Sequence, residues 1–192
     1  MEWLGEKSRM SLKRHPLETY IAQRLTEITN FQCRPTRASG ASVEILDVYN
    51  PLFYVECKWT ENTADLLIKW KEVAKAMYQI KDANSDKPLL FAWQAKGKNR
   101  WAMMSYLAME ELLEKNSEYK IEDLFLINYK EMSENKSFRI NLDEWNTIYD
   151  NSLQKNDTKI PVVVIVYCKA EMFIIMDLDD FFILLEDIII GE

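Results

Sequence analysis

The sequence predicts an α/β fold, a mixed central sheet flanked by helices, and three observations carry that prediction. Strand-like and helical runs alternate along the 192 residues. The chain is 48% apolar, with six Trp, nine Tyr and eight Phe, which is the composition of a folded core and not of a disordered chain. The longest apolar run, residues 160–168 (IPVVVIVYC), is short and β-branched, which suits a central strand and is too short for a membrane span.

Taken in order, residues 15–31 (HPLETYIAQRLTEITNF) read as a helix. Pro16 suits its first turn, and Leu17, Ile21, Leu25 and Ile28 recur at helical spacing. Residues 34–42 (RPTRASGAS) break the pattern and read as a loop rich in hydroxyl and backbone donors. Residues 43–59 hold two β-like runs around Tyr49, Asn50 and Pro51, a hairpin. Residues 64–84 read as one helix with an apolar stripe on Leu67, Trp70, Val73, Ala74 and Met77. Residues 87–105 give strand, Gly-Lys turn, strand, and residues 106–116 a helix.

A second series follows. Residues 121–130 (IEDLFLINYK) read as a strand. Residues 141–154 read as a helix, with Asn141 and Glu144 at capping-box spacing. Residues 160–176 give strand, turn, strand, and residues 178–188 (LDDFFILLEDI) a closing helix. This series echoes the first: FYVECK at 53–58 is followed seventy-two residues on by FLINYK at 125–130. The expected division is a first unit at 1–104 and an acidic α/β unit at 105–192, a degenerate repeat packed on the first. In that repeat Glu56 maps onto Asn128, and no Asp falls where Asp47 would map.

The chemistry concentrates in the run at 53–62, FYVECKWTEN. Side chains alternate across a strand, so Phe53, Val55 and Cys57 form an ordinary core face while Tyr54, Glu56 and Lys58 share the other. Folding the hairpin at Asn50 brings Asp47 back toward Glu56. Two carboxylates converging with a strand carbonyl, that of Cys57, make a hard oxygen site suited to Mg²⁺ or Mn²⁺. Lys58 at its edge would orient an attacking water and stabilise charge developing on a phosphate. Lys96, Lys98 and Arg100, on the turn between two strands, could track a DNA backbone or serve as a solubilising turn.

The segments LETYIAQRL, CRPTRASGAS, ILD and YVECKWTEN, within residues 14–104, together resemble the PD-(D/E)xK nuclease superfamily. Within it the chain looks most like archaeal-type and phage Holliday junction resolvases. The resemblance implies a restriction-endonuclease-like fold and a Mg²⁺-dependent endodeoxyribonuclease acting on branched DNA, as a homodimer or, with the second unit in the partner position, an intrachain pseudo-dimer. It implies that Asp47 and Glu56 bind metal, that Lys58 is catalytic and that Glu18 projects toward the metal from the first helix. Arg34, Arg37 and Ser39 would contact the scissile phosphate or adjacent backbone. The alternative is a nuclease-fold module without cleavage that binds DNA or a partner protein.

Charge fits a phosphate-facing first half. Net charge is −7, yet residues 1–101 carry 16 Lys and Arg against 12 Asp and Glu, whereas residues 102–192 carry 8 against 19. Cys33, Cys57 and Cys168 form neither a disulfide framework nor a metal spacing, and the first sixteen residues lack the apolar core of a secretory leader. A cytoplasmic, nucleoid-associated protein, phage- or prophage-encoded, is the expectation. His15 is the single His, which argues against a His base or a His-rich zinc site, and no Gly-rich nucleotide loop is present.

Overall fold

The structure, a computed structural model, describes residues 16–36, 47–61, 65–83, 86–97, 99–115, 119–132, 137–154, 159–167 and 171–190. In chain order the elements are α1 (Pro16–Thr29), β1 (Arg34–Pro35), β2 (Val48–Tyr49), β3 (Tyr54–Thr60), β4 (Asp65–Lys69), α2 (Trp70–Asp82), β5 (Leu89–Ala95) and β6 (Arg100–Ser105). They continue with α3 (Tyr106–Leu113), α4 (Ile121–Leu124), β7 (Phe125–Met132), β8 (Ser137–Asn141), α5 (Leu142–Gln154), β9 (Ile160–Tyr167), β10 (Glu171–Asp177) and α6 (Leu178–Ile190).

Eight strands form one mixed sheet in the order β1-β2-β3-β5-β6-β10-β9-β7, and β4 pairs with β8 in a separate two-stranded sheet. The α/β class and the mixed sheet flanked by helices are as the sequence predicts. β3 and β5 run parallel, joined through β4 and α2; β5–β6, β6–β10 and β10–β9 are antiparallel; β9 and β7 are parallel again. A parallel pair cannot be closed by a tight turn, which is why a helix lies between its members.

Alternation along the strands sends residues to two cores. Val55, Leu90, Ala92, Ala102, Met104, Val162, Val164, Ile174 and Met176 pack under α1, α3 and α6. Phe91, Trp93, Trp101, Met103, Val163, Ile165, Phe173 and Ile175 pack under α2, α5, β4 and β8. The product is three layers, with the sheet between two helical faces. Trp93 and Trp101 are buried in the second of these cores.

Local chemistry sets the element ends. Leu17, Ile21, Leu25 and Ile28 give α1 one fully buried stripe, and Asn30 past its last turn takes φ +54°, a conformation Asn tolerates at a helix C-terminus. Gly97 supplies φ +67° in the β5–β6 turn. Ser105 caps α3 by accepting from Ala108 N at 3.1 Å; Asn141 caps α5, its Oδ1 accepting from Asp143 N and Glu144 N; Asp177 Oδ1 accepts from Asp179 N at the start of α6.

Three expectations need correction. Residues 34–35, read as the start of a loop, form the short edge strand β1, paired antiparallel with β2. Residues 65–69, read as the first part of a helix, are β4, and the helix starts at Trp70. β4 is a strand because it pairs along its length with β8, from Asp65 opposite Asn141 to Lys69 opposite Ser137, a partner too distant in sequence for local periodicity to register. Within α2 the buried side chains are Val73 and Ala76, whereas Ala74 and Met77 are exposed. Residues 121–130, read as one strand, open instead with the single helical turn α4, whose Ile121 enters the core while Glu122 and Asp123 face outward. The strand β8 had no counterpart in the sequence reading.

The second series repeats the pairings of the first 72 residues on. Tyr54 opposite Leu89 recurs as Leu126 opposite Pro161, and Phe91 opposite Met103 recurs as Val163 opposite Ile175.

Candidate active site

The turn between β2 and β3 is built by a buried Asn50. Its Nδ2 donates to Val48 O and Phe53 O at 3.1 and 3.0 Å, and its Oδ1 accepts from Leu52 N and Phe53 N. All of the amide's polar atoms are therefore used in closing the hairpin, which fixes the register of the two strands. Val48 stands opposite Val55, and Asp47 N donates to Val55 O at 2.8 Å. Asp47, just before β2, is thereby held beside the Val55–Cys57 stretch of β3. The Asp47 carboxylate accepts from Cys57 N at 2.7 Å, so its position is tied to the Glu-x-Lys strand itself.

Glu56 and Lys58 share one face of β3, and Lys58 Nζ donates to Glu56 Oε1. The Glu56 side chain is 17% exposed and that of Lys58 34%, so the pair is not a solvated surface pair and its charges are only partly screened. Burial pushes the Glu56 carboxyl above its ordinary value and the nearby charge of Asp47 adds to this, against the bond from Lys58. For Lys58 burial works against the ammonium, but the bond to Glu56 and the charges of Glu56, Asp47 and Glu72 outweigh it, and its pKa is raised. Lys58 therefore carries its proton at neutral pH.

Glu72 and Lys75 belong to α2, which the β3–β5 crossover lays over this face; their charges act on Lys58 and Glu56 respectively. The sequence reading missed both. The signal was present: a strand–helix–strand crossover places the helix above the strand it left, and Glu72 and Lys75 lie one turn apart on it.

Cys57 points to the opposite face, against the core under α1. Burial pushes its thiol well above the ordinary range, and the charges of Asp47, Glu18 and Glu56 push in the same direction. The three predicted carboxylates thus act on one strand position. Glu18 does so from the first turn of α1, on the Cys57 side of the sheet.

The predicted phosphate contacts divide. Arg34 is exposed on β1, with its guanidinium carbon 5.0 Å from the Tyr49 ring centroid. Lys96 is exposed at the β5–β6 turn, and its backbone N bonds Thr60 O at 3.0 Å, which sets that turn beside the C-terminal end of β3. Arg100 faces the other way: its guanidinium lies 3.8 Å from the Tyr20 ring centroid and 3.7 Å from Asp179, bracing α1 against α6. Arg37, Ser39 and Lys98 lie outside the described residues, as do His15 and Cys168.

Among the described residues no group of three or more His, Cys, Asp or Glu side chains is gathered as a metal site. The negative charge of Asp47 is one cause of the raised Glu56 pKa, an interaction of like charges that a nearby cation would relieve. Mg²⁺ is commonly held by one or two carboxylates, with waters and substrate phosphate oxygens completing its shell. Asp47, Glu56 and the Cys57 carbonyl are oxygen donors of the kind such an ion takes.

No family model, curated protein or solved structure matches the chain. No helix among the described residues is long and apolar enough to cross a membrane.

Proposed function

We propose that the chain is a metal-dependent endonuclease of the PD-(D/E)xK type that hydrolyses phosphodiesters in branched or structured DNA. The observation that carries this reading is Asp47 fastened to β3 on either side of Glu56, at Val55 O and Cys57 N, with Lys58 bonded to Glu56 on one face of the strand. Asp47, Glu56 and the Cys57 carbonyl would hold Mg²⁺ or Mn²⁺, and Glu18 would reach the same strand from α1. Such an ion, if bound, would lower the pKa of a water and offset phosphate charge.

Lys58, as an ammonium on the same strand face as Glu56, would orient the water through hydrogen bonds and offset charge on the phosphate. Glu56 holds the ammonium in place. Arg34, Arg37, Ser39 and Lys96 supply contacts to the DNA backbone, and branch selectivity comes from the shape of this basic half, because no base-reading motif is present. The restriction-endonuclease-like fold is part of the proposal; the α2 crossover between parallel β3 and β5 supports it.

A second reading, a nuclease-fold module that binds DNA or a partner protein without cutting, is favoured by one observation: among the described residues no group of three or more His, Cys, Asp or Glu side chains is gathered as a metal site. The test compares wild type with Lys58→Ala on a labelled four-way junction and a matched linear duplex, in Mg²⁺ and in chelator. Cleavage by wild type alone, and only with Mg²⁺, supports the enzyme. Junction binding by both proteins with cleavage by neither supports the module.

A further inference from the structure

The 72-residue recurrence extends to every ladder that both series possess, and to the ladders that join them. On the central β6–β10 pair Met103 stands opposite Ile175, its own counterpart, and on β4–β8 Leu67 stands opposite Arg139, its own counterpart. Around these points the pairings are reciprocal: Trp101 opposite Asp177 answers Ser105 opposite Phe173, and Asp65 opposite Asn141 answers Lys69 opposite Ser137. A residue facing its own counterpart is what a two-fold axis produces at a self-complementary interface. Here both sides of that interface belong to one chain. The N-cap positions recur as well, Ser105 with Asp177 and Lys69 with Asn141.

The chemistry does not recur in the same way. Lys58 and Glu72 have the counterparts Lys130 and Glu144, which form an ion pair at 2.8 Å. Asp47 and Glu56 have the counterparts Tyr119 and Asn128, and neither is a carboxylate. The second half keeps the cation and its helix partner and lacks both proposed metal-binding groups.

We infer that one chain is the equivalent of a two-fold dimer carrying a single competent site, and that it works as a monomer making one incision per binding event. The two-fold surface that a pair of separate subunits would share is already buried within the chain, at β6–β10 and β4–β8. The incision part rests on the endonuclease reading; the assembly part does not. Each incision hydrolyses one phosphodiester. The oxygen of water bonds to phosphorus, one P–O ester bond breaks, and the leaving oxygen is protonated by solvent, giving a hydroxyl and a phosphate monoester.

The test uses the full chain and three readouts. Light scattering of wild type at increasing concentration should give the mass of one chain. Oxidised Leu67→Cys/Arg139→Cys should run on a non-reducing gel as a cross-linked monomer, since those positions face each other within the chain. Mn²⁺ titration should saturate at one ion, or one closely spaced ion pair quenched by Asp47→Asn, per chain, and excess supercoiled plasmid with an extruded cruciform should yield nicked circle before any linear product. A stable dimer, or interchain cross-links in the double-cysteine variant, overturns the assembly. Mn²⁺ uptake that survives Asp47→Asn and is lost in Asn128→Leu, or linear product appearing first, overturns the single site. A monomer that takes up no Mn²⁺ and does not cut removes the single site and the endonuclease reading together, while its mass and its cross-link uphold the assembly.

Discussion

Asp47 is fastened to Cys57: its carboxylate accepts the Cys57 N–H at 2.7 Å, while its own N–H donates to Val55 O at 2.8 Å. The acid on one strand is thereby fastened to the backbone of the next, within two residues of Lys58. This arrangement makes Asp47 both a structural acceptor and a source of negative potential at Glu56.

Asp47→Asn separates those two roles. The Asn Oδ1 still accepts from Cys57 N, so the melting temperature should move by no more than a few degrees, the equivalent of about 1 kcal/mol for a chain of this size. The Glu56 pKa should fall, because one of the two influences raising it is gone, although burial still holds it above the ordinary value. Carboxyl-carbon NMR titration of Glu56 checks this; an unchanged midpoint would contradict the coupling.

Lys58→Gln leaves Glu56 partly buried beside Asp47 without its ammonium. The Glu56 pKa should rise further. A carboxyl whose folded pKa exceeds its unfolded value stabilises the fold below the unfolded pKa and loses that contribution as pH rises through the folded one. The variant should therefore match wild type near pH 4 and be less stable at pH 7–8. Because Lys58 is about a third exposed, the loss is set at roughly 1 kcal/mol. Urea denaturation at the two pH values measures it.

Asp177, at the start of α6, gives a pH dependence of the same sign. Burial first, and then the charges of Asp180 and Asp179, push its pKa up to about 6, against the hydrogen bonds it accepts from the backbone. Its contribution to stability is complete below about pH 4 and is lost as pH rises to 6, a change of at most about 3 kcal/mol. Asp177→Asn keeps the acceptor for Asp179 N and should melt higher than wild type at pH 7, with a flatter profile from pH 4 to 6. A lower melting temperature at pH 7 would count against this account.

The core on the α2 and α5 face turns on Trp145, buried with its ring centroid 4.5 Å from that of Trp101 in an edge-to-face pair. Trp145→Ala should cost about 3–5 kcal/mol, read from the urea midpoint. Leu107→Ala, at a position 63% exposed, should stay within about 0.5 kcal/mol of wild type.

Apart from β1, which lies in a stretch that reads as a loop, the strands of the main sheet were legible because their cues are local. IPVVVIVY is β-branched, and the Glu56–Lys58 spacing exposes the period of two that put both charges on one face. The hairpin was legible because Asn50 and Pro51 are turn residues. β4 was not, because DLLIK continues the helical spacing of WKEVAKA and its partner SFRIN lies 72 residues away. The effects of Glu72 and Lys75 on the site were hidden for the same reason: they depend on where the crossover lays α2, which is a property of the sheet and not of the segment. The echo between the two series was visible in sequence only as shared apolar patterning, whereas strand register compares residues one by one.

The most direct measurement of the central claim is calorimetric Mn²⁺ titration of wild type and Glu56→Gln in the presence of a cleavage-resistant four-way junction. The account predicts saturable uptake by wild type and a loss of at least about tenfold in affinity in the variant, on a fold whose melting temperature is maintained. Equal uptake by both proteins, or none by wild type with the junction bound, would contradict it.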